Sequence, residues 1–338
     1  MEKSRVATFG ELMITLSPRG FDRFVQADDF VVRYTGAESN VAVSLACFGV
    51  GTDVVSKVPA NDIGQACVNY HRRFGVNTDF IARGGDRLGL IYMEAGVSRR
   101  PSVVIYDRAG SAFSECDRSD FDWDAILTGK EWFHVSGTAP ALGPSVNDAL
   151  LDGLKKAKEL GVTVSMDCNY RSKLWSVEEA GKKLRELMEY VDVFVGGWQD
   201  VKYILGLDVD IDGVDDIERS KRASEAVIKR YGMKMAAMTV REAPSASLNY
   251  YTGLLTTPEG TEVSKRYEIQ VAERIGGGDA FTAGLIYGVL NGMDTAKTIA
   301  FAVAASCLKH SVAGDFNLAS VEEVNELAFG SGSARIKR

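Results

Sequence analysis

The densest chemical signal in the chain is Gly276-Gly277-Gly278-Asp279, which runs straight into Ala280-Phe281-Thr282-Ala283-Gly284-Leu285-Ile286. Phe281, Leu285 and Val289 share one helical face, so the glycines end where a helix begins. Residues without side chains let a ligand come close to the backbone N–H groups. Those unpaired donors, with the positive end of the helix dipole, favour an anion, and phosphate is the natural guest. Asp279 then has two readings. It is either an N-cap, a role that suits Asp, or a general base beside a phosphate cradle. Phosphoryl transfer needs the second arrangement, because the cradle absorbs charge while a carboxylate takes the hydroxyl proton.

The formal net charge of −7 argues against a general nucleic-acid surface. It also requires any phosphate site to concentrate Lys or Arg locally. The five cysteines (Cys47, Cys67, Cys116, Cys168, Cys307) are odd in number and lack CxxC spacing, which excludes a disulfide framework or a zinc ribbon. Cys47, Cys67 and Cys307 sit among alanines and valines and read as buried apolar residues. Three dispersed histidines offer little for a His-based metal site or a Ser-His-Asp triad. Met1 to Arg5 is charged with no apolar segment behind it, and no apolar run nears the roughly 20 residues that span a bilayer. A cytoplasmic protein is expected.

The elements that must position the glycines alternate. Val6–Phe9, 53–58, 132–135, 162–166, 191–195 and 235–240 read as strands too apolar for a one-sided sheet, as buried parallel strands are. Helical stripes lie between them, at Ile63, Ala66, Cys67, Tyr70 and Phe74, and at Ala296, Ile299, Ala300, Val303 and Cys307. The pattern predicts an α/β doubly wound, mostly parallel sheet with ligands beyond the carboxyl ends of its strands. Residues 87–108 and 12–34 break the rhythm. They read as β hairpins, either a small lid over the site or surface decoration.

The segment GGGDAFTAGL resembles the GAGDxF signature of the ribokinase (phosphofructokinase-B) family, and Gly36-Ala37-Glu38-Ser39-Asn40-Val41-Ala42 resembles its first glycine motif, GGAxxNVA. Within that family the likeness is to the 2-keto-3-deoxygluconate kinases. It is carried by Arg100-Pro101-Ser102 with Tyr106-Asp107-Arg108-Ala109, by Asp167-Cys168-Asn169-Tyr170-Arg171, by Thr239-Val240-Arg241-Glu242, and by Leu308-Lys309-His310-Ser311 with Gly314-Asp315-Phe316. The resemblance implies a three-layer ribokinase-like domain over 1–338 with a β-stranded lid. It implies ATP and Mg²⁺, leaves a monovalent-cation requirement open, and implies phosphorylation of the terminal hydroxyl of a sugar acid by a homo-oligomer. Asp279 would be the base and Gly276, Gly277 and Gly278 the anion hole. Gly36, Ala37, Asn40, Tyr92, Tyr106 and Asp315 would form the sugar pocket. A keto acid also needs a cation, and guanidinium forks at Arg108 and Arg171 are the candidates. Asn169, Arg171, Thr239 and Arg241, with Gly276 and Gly278, would face the nucleotide. Tyr92 and Tyr106 could equally be strand aromatics, and the arginines surface ion pairs.

Four positions depart from the family pattern. Thr35 replaces a glycine and Glu273 replaces the Asp that opens GAGD. Gly197-Trp198-Gln199-Asp200 stands for Asn-x-x-Glu, leaving Asp200 as the residue that would support Mg²⁺ from behind its water shell. Arg241 stands where relatives carry a glycine-rich loop. A neutral-ketose kinase and a non-catalytic sugar-acid sensor are the competing readings. A nicotinamide-dependent dehydrogenase is not, since Gly10-Glu11-Leu12 after the first strand is no GxGxxG.

Overall fold

The computed structural model describes residues 5–330. Residues 1–4 and 331–338, which hold most of the charged N-terminal segment and the far end of the 1–338 domain, lie outside the described residues. Fourteen strands form in chain order among the described residues: β1 (Val6–Phe9), β2 (Met13–Ser17), β3 (Val31–Thr35), β4 (Thr52–Val58), β5 (Ile81–Arg83), β6 (Gly89–Glu94) and β7 (Val103–Asp107), then β8 (Trp132–Ser136), β9 (Thr163–Asp167), β10 (Val193–Gly196), β11 (Met235–Glu242), β12 (Leu248–Thr257), β13 (Gly260–Val263) and β14 (Tyr267–Gln270). The helices are α1 (Ala37–Cys47), α2 (Asp62–Arg72), α3 (Trp123–Leu127), α4 (Pro144–Glu159), α5 (Val177–Met188), α6 (Asp216–Tyr231), α7 (Gly277–Leu290), α8 (Thr295–Lys309) and α9 (Val321–Phe329).

The main sheet runs β13-β12-β11-β10-β9-β8-β1-β4-β5, parallel from β11 to β5, with β14 added to β12. All six predicted core strands are there. The chain leaves β1 toward β4 and β5, then returns to its other side at β8. The strand order therefore reverses beside β1, and a crevice opens at the carboxyl ends there. Strands buried on both faces need helices on both, and two apolar clusters supply them. Residues of α3 to α6 pack on one face, and residues of α1, α7, α8 and α9 on the other. Helix α7 is buried almost all round, because it lies between α1 and α8.

The hairpin segments form a separate sheet, β3-β2-β6-β7. Alternation gives it two faces. Met13, Thr15, Ile91, Met93, Val104 and Tyr106 point into the crevice, and Leu16, Val32, Tyr92 and Ile105 lie opposite. A buried pair ties one corner of this lid to the core, with Arg108 Nε donating to Glu11 Oε2 at 2.6 Å. At the other end, the turn beyond β6 rests on the loop after β11. Ser98 N–H donates to Ser247 Oγ at 2.9 Å, Ala246 N–H to Ser98 O at 2.8 Å and Arg99 Nη1 to Pro244 O at 3.0 Å.

Three expectations need correction. Ile63 is 51% exposed, and the buried face of α2 is Gly64, Cys67, Val68 and His71. The face is turned by one residue because Gly64 packs on the Pro59 carbonyl, where a Cβ would come within 2.0 Å. Ala296 is exposed, since it occupies the first turn of α8 behind the Asp294 cap. Cys47, at the last turn of α1, is half-buried. Among the described residues no helix is long and apolar enough to cross a membrane.

Candidate active site

A cavity of about 670 Å³ opens where the lid covers the carboxyl ends of β1, β8, β9, β10 and β11. Its floor is the start of α7. Gly276 is the N-cap, in the left-handed region at φ 80°, and a Cβ there would fall 1.9 Å from the Asp315 carbonyl. Glycine is required here twice over, by conformation and by space. Gly277 and Gly278 open the helix with free N–H groups. Asp279 is thus its third residue and not the N-cap.

The Asp279 carboxylate is held from across the chain. Asn40 Nδ2 donates to its Oδ2 at 2.6 Å, and the Thr35 hydroxyl donates to Asn40 Oδ1 at 3.2 Å, which fixes the amide orientation. Asn40 stands in the first turn of α1 because Gly36, its N-cap, approaches the Glu11 carbonyl so closely that a Cβ would come within 2.3 Å. Thr35 replaces the family glycine without strain, as the last extended residue of β3.

Burial pushes the Asp279 carboxyl up to about 7. The Asn40 hydrogen bond and Arg171 oppose the rise, and Glu38 and Asp315 reinforce it. Burial raises Asp167 to about 7 as well, with the charges of Asp279 and Asp200 adding to it. Glu38, which accepts the Ser136 hydroxyl, is likewise raised to about 7 by burial. A carboxylate that ionises near neutrality in a dry site is a competent proton acceptor. Asp315 is 5% exposed and its Oδ1 has no protein partner, so it can take a ligand hydroxyl.

Of the residues singled out from the sequence, Gly36, Ala37, Asn40, Tyr106, Arg108, Asn169, Arg171, Thr239, Arg241, Gly276, Gly277, Gly278, Asp279 and Asp315 all line this cavity. Tyr92 does not. In β6 the inward positions are Ile91 and Met93, and Tyr92 packs at 6.5 Å from Phe30 on the outer side. Arg108 is buried, but its charge is already matched by Glu11, which leaves only its two terminal nitrogens for a ligand. Arg171 is exposed at the mouth. Asp200 stands behind the lining, where its Oδ2 accepts the Gly197 N–H at 2.8 Å in a π-helical turn, and Gln199 reaches the cavity instead. Trp198 packs on the core with Arg219 over its ring at 5.4 Å. Sequence reasoning missed Glu11, Glu38, Asp167 and Arg274 as lining residues. Three of them lie inside or beside motifs already noted, and Glu11 follows β1, where the crevice had to be.

The cavity has two chemical ends. Thr239, Arg241, Arg274, Asn169 and Arg171 gather near the glycines, and the three arginines carry no carboxylate partner among the described residues. Such a group suits a polyphosphate. Among the described residues no three His, Cys, Asp or Glu side chains form a metal cage. The donor set therefore fits a Mg²⁺ that keeps waters and phosphate oxygens as its ligands, with Asp167 and Asp200 nearby as carboxylates.

Residues 3–320 match the pfkB family carbohydrate kinases over almost the whole described chain. The chain belongs to this family. A crystal structure of 2-dehydro-3-deoxygluconokinase from Thermotoga maritima is 46% identical and superposes with a TM-score of 0.94, covering 97% of this chain and 98% of that one. A 2-dehydro-3-deoxygalactonokinase of Haloferax volcanii is 31% identical over 99% of both chains, and a 5-dehydro-2-deoxygluconokinase of Clostridium perfringens is 28% identical over 96% of this chain and 92% of its own. The ribokinase-like α/β fold, with its mostly parallel sheet and small separate sheet, and the standing of the chain as a sugar kinase follow.

The raised Asp279 carboxyl has a consequence for stability. Its folded value, about 7, lies above the usual carboxylate range of about 4, so the native state binds this proton more tightly. The stabilisation is complete below about pH 4 and is lost as pH rises through about 7. Asp279→Asn is therefore expected to match the wild type in urea midpoint at pH 4 and to exceed it at pH 8.5. Equal midpoints at both would show that the carboxyl is not pushed up.

Proposed function

We propose that this kinase transfers the γ-phosphoryl group of ATP to the terminal hydroxyl of a 2-keto-3-deoxy sugar acid of the gluconate type. The contact between Asn40 and Asp279 carries the reading, because it sets the base between the lid-covered end and the phosphate cradle. With the hydroxyl beside Asp279, the carboxylate takes its proton as the hydroxyl oxygen bonds to phosphorus and the bridge to ADP breaks. The N–H groups of Gly277 and Gly278 receive the charge that builds on the transferring group. Arg171, Arg241 and Arg274 hold the remaining phosphates. Mg²⁺, held through its waters by Asp167 and Asp200, would supply charge neutralisation to the phosphates.

Asp315 Oδ1 and the terminal nitrogens of Arg108 lie toward the lid and suit a sugar hydroxyl and a carboxylate. The names of the relatives at 46% and 31% identity support an acid. One observation favours a neutral ketose instead: Glu11 already balances Arg108. The two readings separate in an ADP-release assay with Mg-ATP and 2-keto-3-deoxygluconate, 2-keto-3-deoxygalactonate, fructose and ribose at matched concentration. Strong preference for a keto-deoxy acid is expected, and turnover on fructose alone would overturn the substrate. In the same assay Asp279→Asn should lose about two to four orders of magnitude in kcat, and near-normal turnover would remove Asp279 from the role of base.

Arg108→Lys tests the carboxylate contact without stranding Glu11, since a lysine keeps the charge and loses the fork. KM for the sugar acid should rise about tenfold, at 1.4 kcal/mol per decade, while KM for a neutral ketose stays put. Equal rises would refute the assignment.

The outer face of the lid exposes Val32 (53%) and Ile105 (50%) beside Tyr92 and Leu16, an apolar patch on an otherwise charged protein. A second copy of the chain is the partner we infer for it. Sedimentation should show a dimer that Ile105→Asp with Val32→Asp converts to monomer, and a monomeric wild type would exclude it.

A further inference from the structure

Lys309 is the last residue of α8 and is 0% exposed. An ammonium is among the costliest groups to bury, and a hydrocarbon side chain of the same size would fill the space more cheaply. Its position gives the reason. The last turn of α8 underlies the phosphate cradle. Ser306 Oγ donates to the Gly277 carbonyl at 2.8 Å, the His310 ring fills the space a Cβ on Gly277 would need, and Ala272 and Glu273 N–H groups both donate to the His310 carbonyl. Lys309 lies at the centre of this support. Its Cε sits 3.1 Å from where a Cβ on Gly276 would be, and its Nζ donates to the Val312 carbonyl at 3.1 Å.

The charged groups facing Lys309 come from four segments. Glu273 precedes the cradle, Asp279 follows it on α7, and Asp315 lies in the loop after α8. Arg33 of β3 opposes them. Neither Glu273 nor Asp315 makes a direct ion pair with the ammonium, which acts on both through space. Glu273 in turn accepts the N–H groups of Arg274 and Ile275 at 2.9 and 3.3 Å, so its orientation sets the approach to Gly276. Burial lowers Lys309 to about 8, which leaves it charged at neutral pH. Gly276, Asp279 and Asp315 around it line the cavity, and Lys309 itself does not.

We propose that Lys309 is a positioning residue for phosphoryl transfer, a cation built into the floor of the anion hole that holds Glu273 and Asp315 around Gly276 and frees the enzyme from any need for an added monovalent cation. The proposal rests on reading Gly276–Gly278 as the phosphate cradle, and not on which sugar is the acceptor.

The test begins with the wild type and whichever sugar it turns over, so that failure of the substrate reading is seen first and separately. Turnover with Mg-ATP is compared in potassium, sodium, ammonium and choline chloride at equal ionic strength. Rates within twofold of one another are expected, and a strict requirement for potassium or ammonium would overturn the proposal. Lys309→Met, which keeps the volume and removes the charge, should lower kcat about ten- to a hundredfold, below the roughly 10²–10³ seen when a donor touching the transition state is lost. Lys309→Ala should regain at least tenfold of its loss on adding methylammonium or ethylammonium, and nothing on adding choline. A Lys309→Met enzyme within twofold of wild type, or a folded Lys309→Ala enzyme that no small ammonium restores, would refute the role. If neither variant folds, the salt series on the wild type decides alone.

Discussion

The hydrogen bond from the Asn40 amide to the Asp279 carboxylate joins residues 239 positions apart and fixes the relation of everything around it. It holds α1 against α7, which brings the first glycine motif to the phosphate cradle. It also supplies Asp279 with a neutral donor where a cation would have been easier. An adjacent guanidinium would hold the carboxylate ionised and weaken it as a base. A single amide leaves burial in charge, and the carboxyl stays near neutrality.

The rest of the charge distribution follows from that choice. Glu38, Asp167 and Asp315 crowd the same interior, where burial raises all three carboxyls. The cations stand back at chosen distances. Arg171, Arg241 and Arg274 wait at the mouth, Arg108 is neutralised by Glu11 at the lid corner, and Lys309 lies under the glycines.

Where chemistry and local conformation coincide, the sequence was readable. Gly276 and Gly36 must be glycines because a Cβ has no room at either, and the motifs announce this in a few consecutive letters. The six core strands were equally legible, since strands buried on both faces are apolar throughout. What stayed hidden was phase and partnership. Tyr92 and Ile91 are neighbours in sequence on opposite faces of β6, and only the pairing of Ile91 with Tyr106 fixes which one looks inward. The Glu11 partner of Arg108 lies 97 residues away, so no local pattern reveals it. The buried face of α2 turned by one residue for a similar reason, because backbone contact at Gly64 outranked the apolar Ile63.

Two attachments of the lid differ in kind. At the corner an ion pair is sealed from water, and breaking it would strand a charge inside the protein. At the tip the contacts of Ser98, Arg99 and Ala246 are solvent-exposed hydrogen bonds, each worth about 1 kcal/mol. A cover held so unequally would give way at its tip before its corner. That tip rests on the loop that follows Thr239 and Arg241, at the arginine-rich end of the cavity.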